Sequence, residues 1–547
     1  MIKKILNTQT KNITLAAFIL GAASLISAIL GLFRDRLLAK NFGAGDELDI
    51  YYAAFKIPDF IAMLLIMGAI SAAIIPVFSR YLTRSKEEAW EFTSALLNLF
   101  LAFLISVSII LVIFTPSLLS LIAPGFQGEK KELTILLTRI MFLSPVLLGV
   151  SNIISGILQV FHRFFVTSIA PILYNLGIIV GIIFFVPIMG LQGLAWGVVL
   201  GGFLHLLIQL PAFFHSGFRY QKILNFTHRG VLQVIKLTIP RSLGLGASQI
   251  NLIVITAIAS TLVSGSIAIF NFANNIISIL MGLIAVPFST AVFPALSLKF
   301  SENDKTDFSE KFSLTFRQII FLITPLSLLF FILRAQIVRI ILGTGRFGWV
   351  DTRLTAACLG LFSLGIFAQG LVLLFSKTFY AVHNTKIPAL ISIIAVIFNI
   401  VLSFLFVGLL RFPNVFQETI VNFLKVGDIK GVEVIGLPLA LSLAGIFQFF
   451  LLLILLYKKI GGLGLKEIWQ SFLKIILAGL LMAFFTYGTL QIISPLVDTQ
   501  TFFGIFLQTI SAGLVGMVIY LLATFIFRSP ELNIIKSSIL ERFSRGA

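Results

Sequence analysis

The sequence predicts an all-α polytopic membrane protein of about 14 transmembrane helices: two parallel-repeat lobes of six helices, plus two C-terminal helices. Three observations carry this. Of 547 residues, 58% are hydrophobic and 11% charged, with a mean hydropathy of +1.07; a soluble domain averages roughly 45–50% apolar and 25% charged. Apolar runs of roughly 20 residues, the length that crosses the hydrocarbon, recur along the whole chain. Three short motifs return at one spacing, close to 218 positions.

The apolar runs fall near 12–40, 50–82, 91–122, 132–161, 165–187 and 192–214, then near 231–262, 265–298, 312–342, 353–381, 387–410 and 434–457, and finally near 468–494 and 501–527. The first follows Lys3, Lys4 and Lys11. It exceeds the roughly 7–15 apolar residues of a signal-peptide core, so a retained helix is expected. An even number of crossings puts both termini on one side. The loops after even-numbered helices carry Arg80, Arg84 and Lys86, then Arg163, Arg219, Lys222, Arg229, Lys299, Lys305, Lys311, Lys377, Lys386, Lys458, Lys459 and Lys466. With the termini they hold about twice the Lys and Arg of the opposite side, which assigns them to the cytoplasm.

The repeats define the lobes. Ser71-Ala-Ala-Ile-Ile-Pro76 returns as Ser289-Thr-Ala-Val-Phe-Pro294, Ala170-Pro171 as Ile387-Pro388, and Pro124-Gly125-Phe126 as Gly345-Arg346-Phe347. Six helices per copy give both copies the same orientation, with the substrate path expected between them. The expected divisions are an N-lobe over 1–228, a C-lobe over 229–460, and 461–547 for the last two helices and a cytoplasmic tail.

Several function classes are disfavoured. The net charge of +18 lies between apolar spans and suits topology and anionic headgroups, not nucleic acid. Cys358 stands alone, and the five histidines are scattered, with His205 read as a buried packing residue. Gly343-Thr-Gly345-Arg-Phe-Gly348 follows an apolar helix, not a strand, and reads as a turn. No H-E-x-x-H, G-x-S-x-G or Walker pattern occurs. No catalytic residue, metal site or cofactor is therefore expected; the membrane potential or an ion gradient could supply energy. Gly177-x3-Gly181 and Gly193-x3-Gly197-x3-Gly201 put small residues on helix faces for close packing.

Charge within the spans marks the candidate site. Arg34-Asp35-Arg36 ends the first helix, a Gly-rich turn follows over 43–45, and Asp49, Lys56 and Asp59 open the second. Intramembrane charge costs roughly 2.5–3.5 kcal/mol per group on insertion scales and usually faces a cavity or a partner. Arg34 and Asp35 point about 100° apart on a helix, so each is expected to need its own partner or water. Asp49 and Lys56 are seven apart on one face; Lys56 and Asp59 are three apart. The alternative is that these charges mark the outer helix end, since Arg34 stands roughly 33 Å along the helix at 1.5 Å per residue. Pro58 can bend the second helix. In the second repeat, Arg241, Ser248, Gln249 and Asn251 lie on helix seven and Asn271, Asn274 and Asn275 on helix eight. The repeat would set them facing the charged stretch, and interhelical hydrogen bonding is the competing role.

Gly31-Leu-Phe-Arg34-Asp35-x5-Phe42-Gly43-Ala44-Gly45-x3-Asp49, followed by Ala54-Phe55-Lys56-Ile57-Pro58-Asp59 and Gly68-Ala-x-Ser71-x3-Ile75-Pro76-Val77, closely resembles the amino-terminal motifs of the MurJ/MviN lipid II flippases. Ala123-Pro124-Gly125-Phe126, Gly345-Arg346-Phe347 with Thr355-Ala356, and Tyr380 to Pro388 extend the resemblance to about helix twelve. It implies the fold of the multidrug/oligosaccharidyl-lipid/polysaccharide exporter superfamily, a cationic cavity between two lobes, and a lipid-tail groove by the last two helices. Where the family has further cavity arginines, this sequence reads Ala28, Ala62-Met63 and Asn275. Met67-Gly68 replaces an acidic-Gly step.

The expected function is translocation of a lipid-linked sugar diphosphate, lipid II, across the bacterial inner membrane by alternating access. Arg34 would be the main anion contact and Lys56 a weaker one. Asp35 and Asp49 would orient or gate them, with Asp59, Arg241, Asn274 and Asn275 completing the binding residues. Expected partners are lipid II, membrane lipids and cell-wall synthesis proteins. The alternatives are a polysaccharide-repeat or other exporter of the superfamily, and a non-transporting envelope scaffold. A cation exporter would want acids deep in the lobes, and a glycosyltransferase paired carboxylates on a large outer loop.

Overall fold

The computed structural model describes residues 13–63, 70–225 and 227–532. Among them every regular element is helical, and eleven helices are long and apolar enough to cross a membrane. Of the fourteen expected spans, the first, second and seventh are not in that set. In each of the three, part of the span lies outside the described residues: the side chains of 13–18 in the first, residues 64–69 with Met67-Gly68 in the second, and the side chains of 239–245 in the seventh. The described apolar part of the seventh is Gly246–Ser260. The chain separates into two compact units, Met1–Ala268 and Ile269–Ala547.

The first unit runs through α1 (Ile13–Phe42), α2 (Asp46–Ile61), α3 (Ile70–Leu82), α4 (Lys86–Ile122), α5 (Gly128–Met141), α6 (Leu143–Val160), α7 (Phe164–Val180), α8 (Val186–Met189), α9 (Gln192–Leu207), α10 (Leu210–His215) and α11 (Arg229–Ser260). Ser85 caps α4 by accepting from the Glu88 N–H, and Glu87 and Glu88 suit the positive helix start. Helix α11 starts the second repeat by sequence but packs in the first unit. Val231 and Val234 join a core of Phe78, Trp90, Phe92 and Phe213, and Gly230 lies against Tyr81 and Phe92.

The glycine faces read from the sequence meet each other. A Cβ on Gly177 would lie 2.4 Å from the Gly201 Cα, and one on Gly181 would lie 2.4 Å from the Gly197 Cα. Helices α7 and α9 thus touch backbone to backbone. Beyond Val180 a π turn, Gly181–Phe185, leads into Val186-Pro187. Proline offers no N–H to the helical ladder, and a wider turn absorbs the missing bond.

The second unit begins after the first turn of α12 (Ser266–Leu280) and continues with α13 (Val286–Ser301), α14 (Lys305–Ile332), α15 (Arg334–Leu342), α16 (Trp349–Ala381), α17 (Lys386–Arg411), α18 (Val415–Leu424), α19 (Gly436–Ile460), α20 (Leu465–Ile493) and α21 (Phe502–Ile526). Most of α16 is buried, and its Phe375 packs with Phe312, Phe316 and Phe449. Arg353 grips Asp428 with both terminal nitrogens, at 2.7 and 2.6 Å. The Gly343–Gly348 segment is a turn between α15 and α16 with Gly345 at φ +60°, as its sequence context required. Tyr520 on α21 donates to the Phe321 carbonyl at 2.8 Å, fixing the last helix on α14.

Candidate transport site in the first unit

Arg34 and Asp35 find each other. The guanidinium folds back so that Nη2 and Nε donate to Asp35 Oδ1 at 2.8 and 3.1 Å. This corrects the expectation of separate partners: the arginine stem is long enough to close the angle between neighbouring helix positions. Nη1 donates to Asn175 Oδ1 on α7 at 3.1 Å. The Asn175 amide is fixed in turn by Ser27, donating to its Oγ at 3.1 Å. The Asp35 side chain is 3% exposed and that of Arg34 21%, so the carboxylate is sealed in while part of the arginine side chain stays exposed.

Aromatic hydroxyls surround this pair. Tyr51 and Tyr52 on α2 lie within electrostatic reach of both Arg34 and Asp35. Tyr174, beside Asn175 on α7, hydrogen-bonds with Ser144 and feels both Arg34 and Asp59. Lys56 and Asp59 stand three residues apart on α2 and act on each other. Helices α1, α2 and α7 therefore bring Arg34, Asp35, Lys56 and Asp59 into one polar region. Sequence reading missed Tyr174 and Asn175, although two adjacent polar residues inside an apolar run were a usable signal.

Asp49 is placed differently. Its carboxylate is buried and accepts from the Gly265 N–H at 2.8 Å and the Ala268 N–H at 3.0 Å, capping the start of α12. Its ionic neighbour is Lys130 of α5 at 3.5 Å, rather than Lys56. Lys130 also binds Asp46, which takes the Ser264 hydroxyl at 2.7 Å. Partial burial raises the Asp46 carboxyl, but Lys130 and Ser264 outweigh it and hold the group below its ordinary value. Gly265 has φ +89°, and a Cβ there would strike the Ala44 carbonyl. The Gly-rich turn over 43–45 and Gly265 thus meet without side chains.

The remaining candidates are dispersed. Asn274 and Asn275 lie on α12 in the second unit, half-buried. Arg241 is on α11, its side chain outside the described residues. His205 is buried, with Nδ1 2.7 Å from Ser151 Oγ, the packing role expected of it.

A family model described as lipid II flippase MurJ matches residues 38–508. The chain belongs to the MurJ lipid II flippase family. A probable lipid II flippase MurJ of Buchnera aphidicola subsp. Schizaphis graminum is 30% identical over 521 residues, 94% of this chain and 96% of its own. The lipid II flippase MurJ of Burkholderia cenocepacia is 27% identical over 408 residues, 73% of this chain and 79% of its own. A solved structure of lipid II flippase MurJ in an inward closed conformation is 28% identical with a TM-score of 0.75, over 93% of this chain and 98% of that one. An inward-facing multidrug resistance MATE transporter shares the fold alone, with a TM-score of 0.64 at 14% identity, over 80% of this chain and 94% of that one. The MurJ family model begins at Leu38, so the Arg34–Asp35 pair lies just ahead of the matched range and its part in the site rests on geometry.

Proposed function

We propose that the chain moves lipid II, a lipid-linked sugar diphosphate, across the bacterial cytoplasmic membrane by alternating access, with both termini on the cytoplasmic side. The observation that carries this is Arg34, its side chain part exposed and its guanidinium oriented by Asp35 and Asn175 within an apolar helix bundle of the MurJ family. A diphosphate headgroup cannot cross hydrocarbon unaided. Arginine grips phosphate through several fixed donors and never gives up its charge.

In this reading the diphosphate shares or displaces Asp35 on Arg34, and Lys56 adds a point charge. Asp35 takes Arg34 back when the substrate leaves, so the cation is never left bare. Asp59 plays the same part for Lys56, and Asp49 with Lys130 forms a structural latch that couples to opening. Arg241, Asn274 and Asn275 serve as further polar contacts from the second repeat. The two repeats act as lobes over 1–228 and 229–460, with 461–547 as the tail-binding addition. The membrane potential drives net charge movement, worth about 2.3 kcal/mol per charge per 100 mV. The partners this implies are the enzymes that make lipid II on one face and use it on the other.

Complementation of cells depleted of their lipid II flippase tests this. The wild-type chain is expected to restore growth, and Arg34→Ala, at equal membrane abundance, to lose it. Restoration by Arg34→Ala would remove Arg34 from the mechanism; failure of the well-expressed wild-type chain would point to another lipid-linked substrate.

A further inference from the structure

The second unit holds a cleft of about 610 Å³ that the transport reading does not use. One wall is a polar stripe on α14. Lys305, Ser309, Ser313 and Arg317 follow each other at four-residue steps and so share a helix face, with Glu310 beside them. The opposite wall is the glycine-rich link between α19 and α20, completed by Glu467 in the first turn of α20. Gly464 has φ +61°, and a Cβ there would come within 2.9 Å of Ser313 Oγ. The wall is therefore bare backbone.

Two details mark the cleft as a binding site. Ser313 is 4% exposed, and its Oγ has no hydrogen-bond partner among the described residues. Arg317 is held from behind: Nη1 lies 3.2 Å from Glu531 Oε1, a buried carboxylate that also accepts from Ser471 Oγ at 2.7 Å and from the Ser529 hydroxyl. A guanidinium carries five N–H donors, and Glu531 does not use them all. Tyr457 and Trp469, 46% and 59% exposed, flank the glycine link in sequence; exposed Tyr and Trp concentrate at the headgroup level of a bilayer.

The lining selects the ligand. Lys305 and Arg317, the latter backed by Glu531, share the lining with Glu310 and Glu467, so the cleft presents both signs of charge rather than a cationic patch. We propose that it binds the phosphoethanolamine headgroup of a membrane lipid, with phosphate on the Lys305–Ser309–Arg317 side and the primary ammonium on Glu310 and Glu467. A quaternary choline could not donate hydrogen bonds to those carboxylates, and a phosphoglycerol headgroup, with hydroxyls but no cation, would leave their charge unmatched.

Native mass spectrometry of the purified full-length protein tests this, with phosphatidylethanolamine, phosphatidylglycerol and phosphatidylcholine of matched chains. Phosphatidylethanolamine should be retained at least fivefold over the other two. Glu310→Gln with Glu467→Gln should abolish that preference, and Ser313→Ala should lower phosphatidylethanolamine retention two- to threefold without lowering the lipid-free melting temperature. Equal retention of phosphatidylglycerol, or an unchanged preference in the folded Glu310→Gln/Glu467→Gln protein, overturns the proposal. If that double variant does not fold, unchanged retention by Ser313→Ala overturns it. Stabilisation by soluble phosphoethanolamine equal to that by the lipid would assign the cleft to a free metabolite and also overturn it.

Discussion

The Arg34 guanidinium is held by the carboxylate of its own neighbour, Nη2 lying 2.8 Å from Asp35 Oδ1. Any phosphate reaching Arg34 competes for donors that this oxygen already uses. Asp35→Asn replaces the charged acceptor with a weaker neutral one. Lipid II should then bind the purified protein at least threefold more tightly, while rescue of flippase-depleted cells falls because release slows. Unchanged affinity would show that Asp35 is no competitor.

Asp49 caps α12 from another helix, and its loss leaves the Gly265 and Ala268 N–H groups without that acceptor. A buried donor left unsatisfied costs about 1–3 kcal/mol. Asp49→Ala should therefore lower the melting temperature of the purified protein clearly, and Asp49→Asn, which keeps one acceptor oxygen but sets an amide NH2 against the other N–H, should recover only part of it. Equal melting of Asp49→Ala and wild type would refute the capping role.

Gly181 has no room for a methyl group, since its Cβ would sit 2.4 Å from the Gly197 Cα, a backbone atom that cannot turn aside. Overpacking of this kind costs about 1–3 kcal/mol. Gly181→Ala should reduce thermal stability and folded yield, whereas Gly190→Ala, with nothing within 4 Å of the added carbon though at φ +60°, should show only backbone strain. Fluorescence-detected size exclusion after heating would rank the two.

The helical class and the glycine seam were legible because composition and small-residue spacing act through simple physics: hydrocarbon thickness and backbone clearance. The charged stretch was legible as a candidate site because charge among apolar residues stands out. Its pairing was not. Arg34 with Asp35 depends on the rotamer of a long side chain, and Asp49 with Gly265 joins residues 216 positions apart. Arg163, counted among loop charges, is 5% exposed and donates to the Ala212 carbonyl at 2.7 Å; a sequence cannot tell a loop cation from one folded under a helix end.

Backbone contact between α7 and α9 has a mechanical consequence. Helices that meet through glycine faces have no side chains to re-rotamer, so they resist sliding and behave as one stiff plank. Asn175 is mounted on that plank and holds Arg34 of α1 at 3.1 Å. Arg34 is thus moored to a seam packed backbone to backbone. A load taken up at Arg34 is borne by a fixed post, and the give needed for opening has to come from seams packed by side chains.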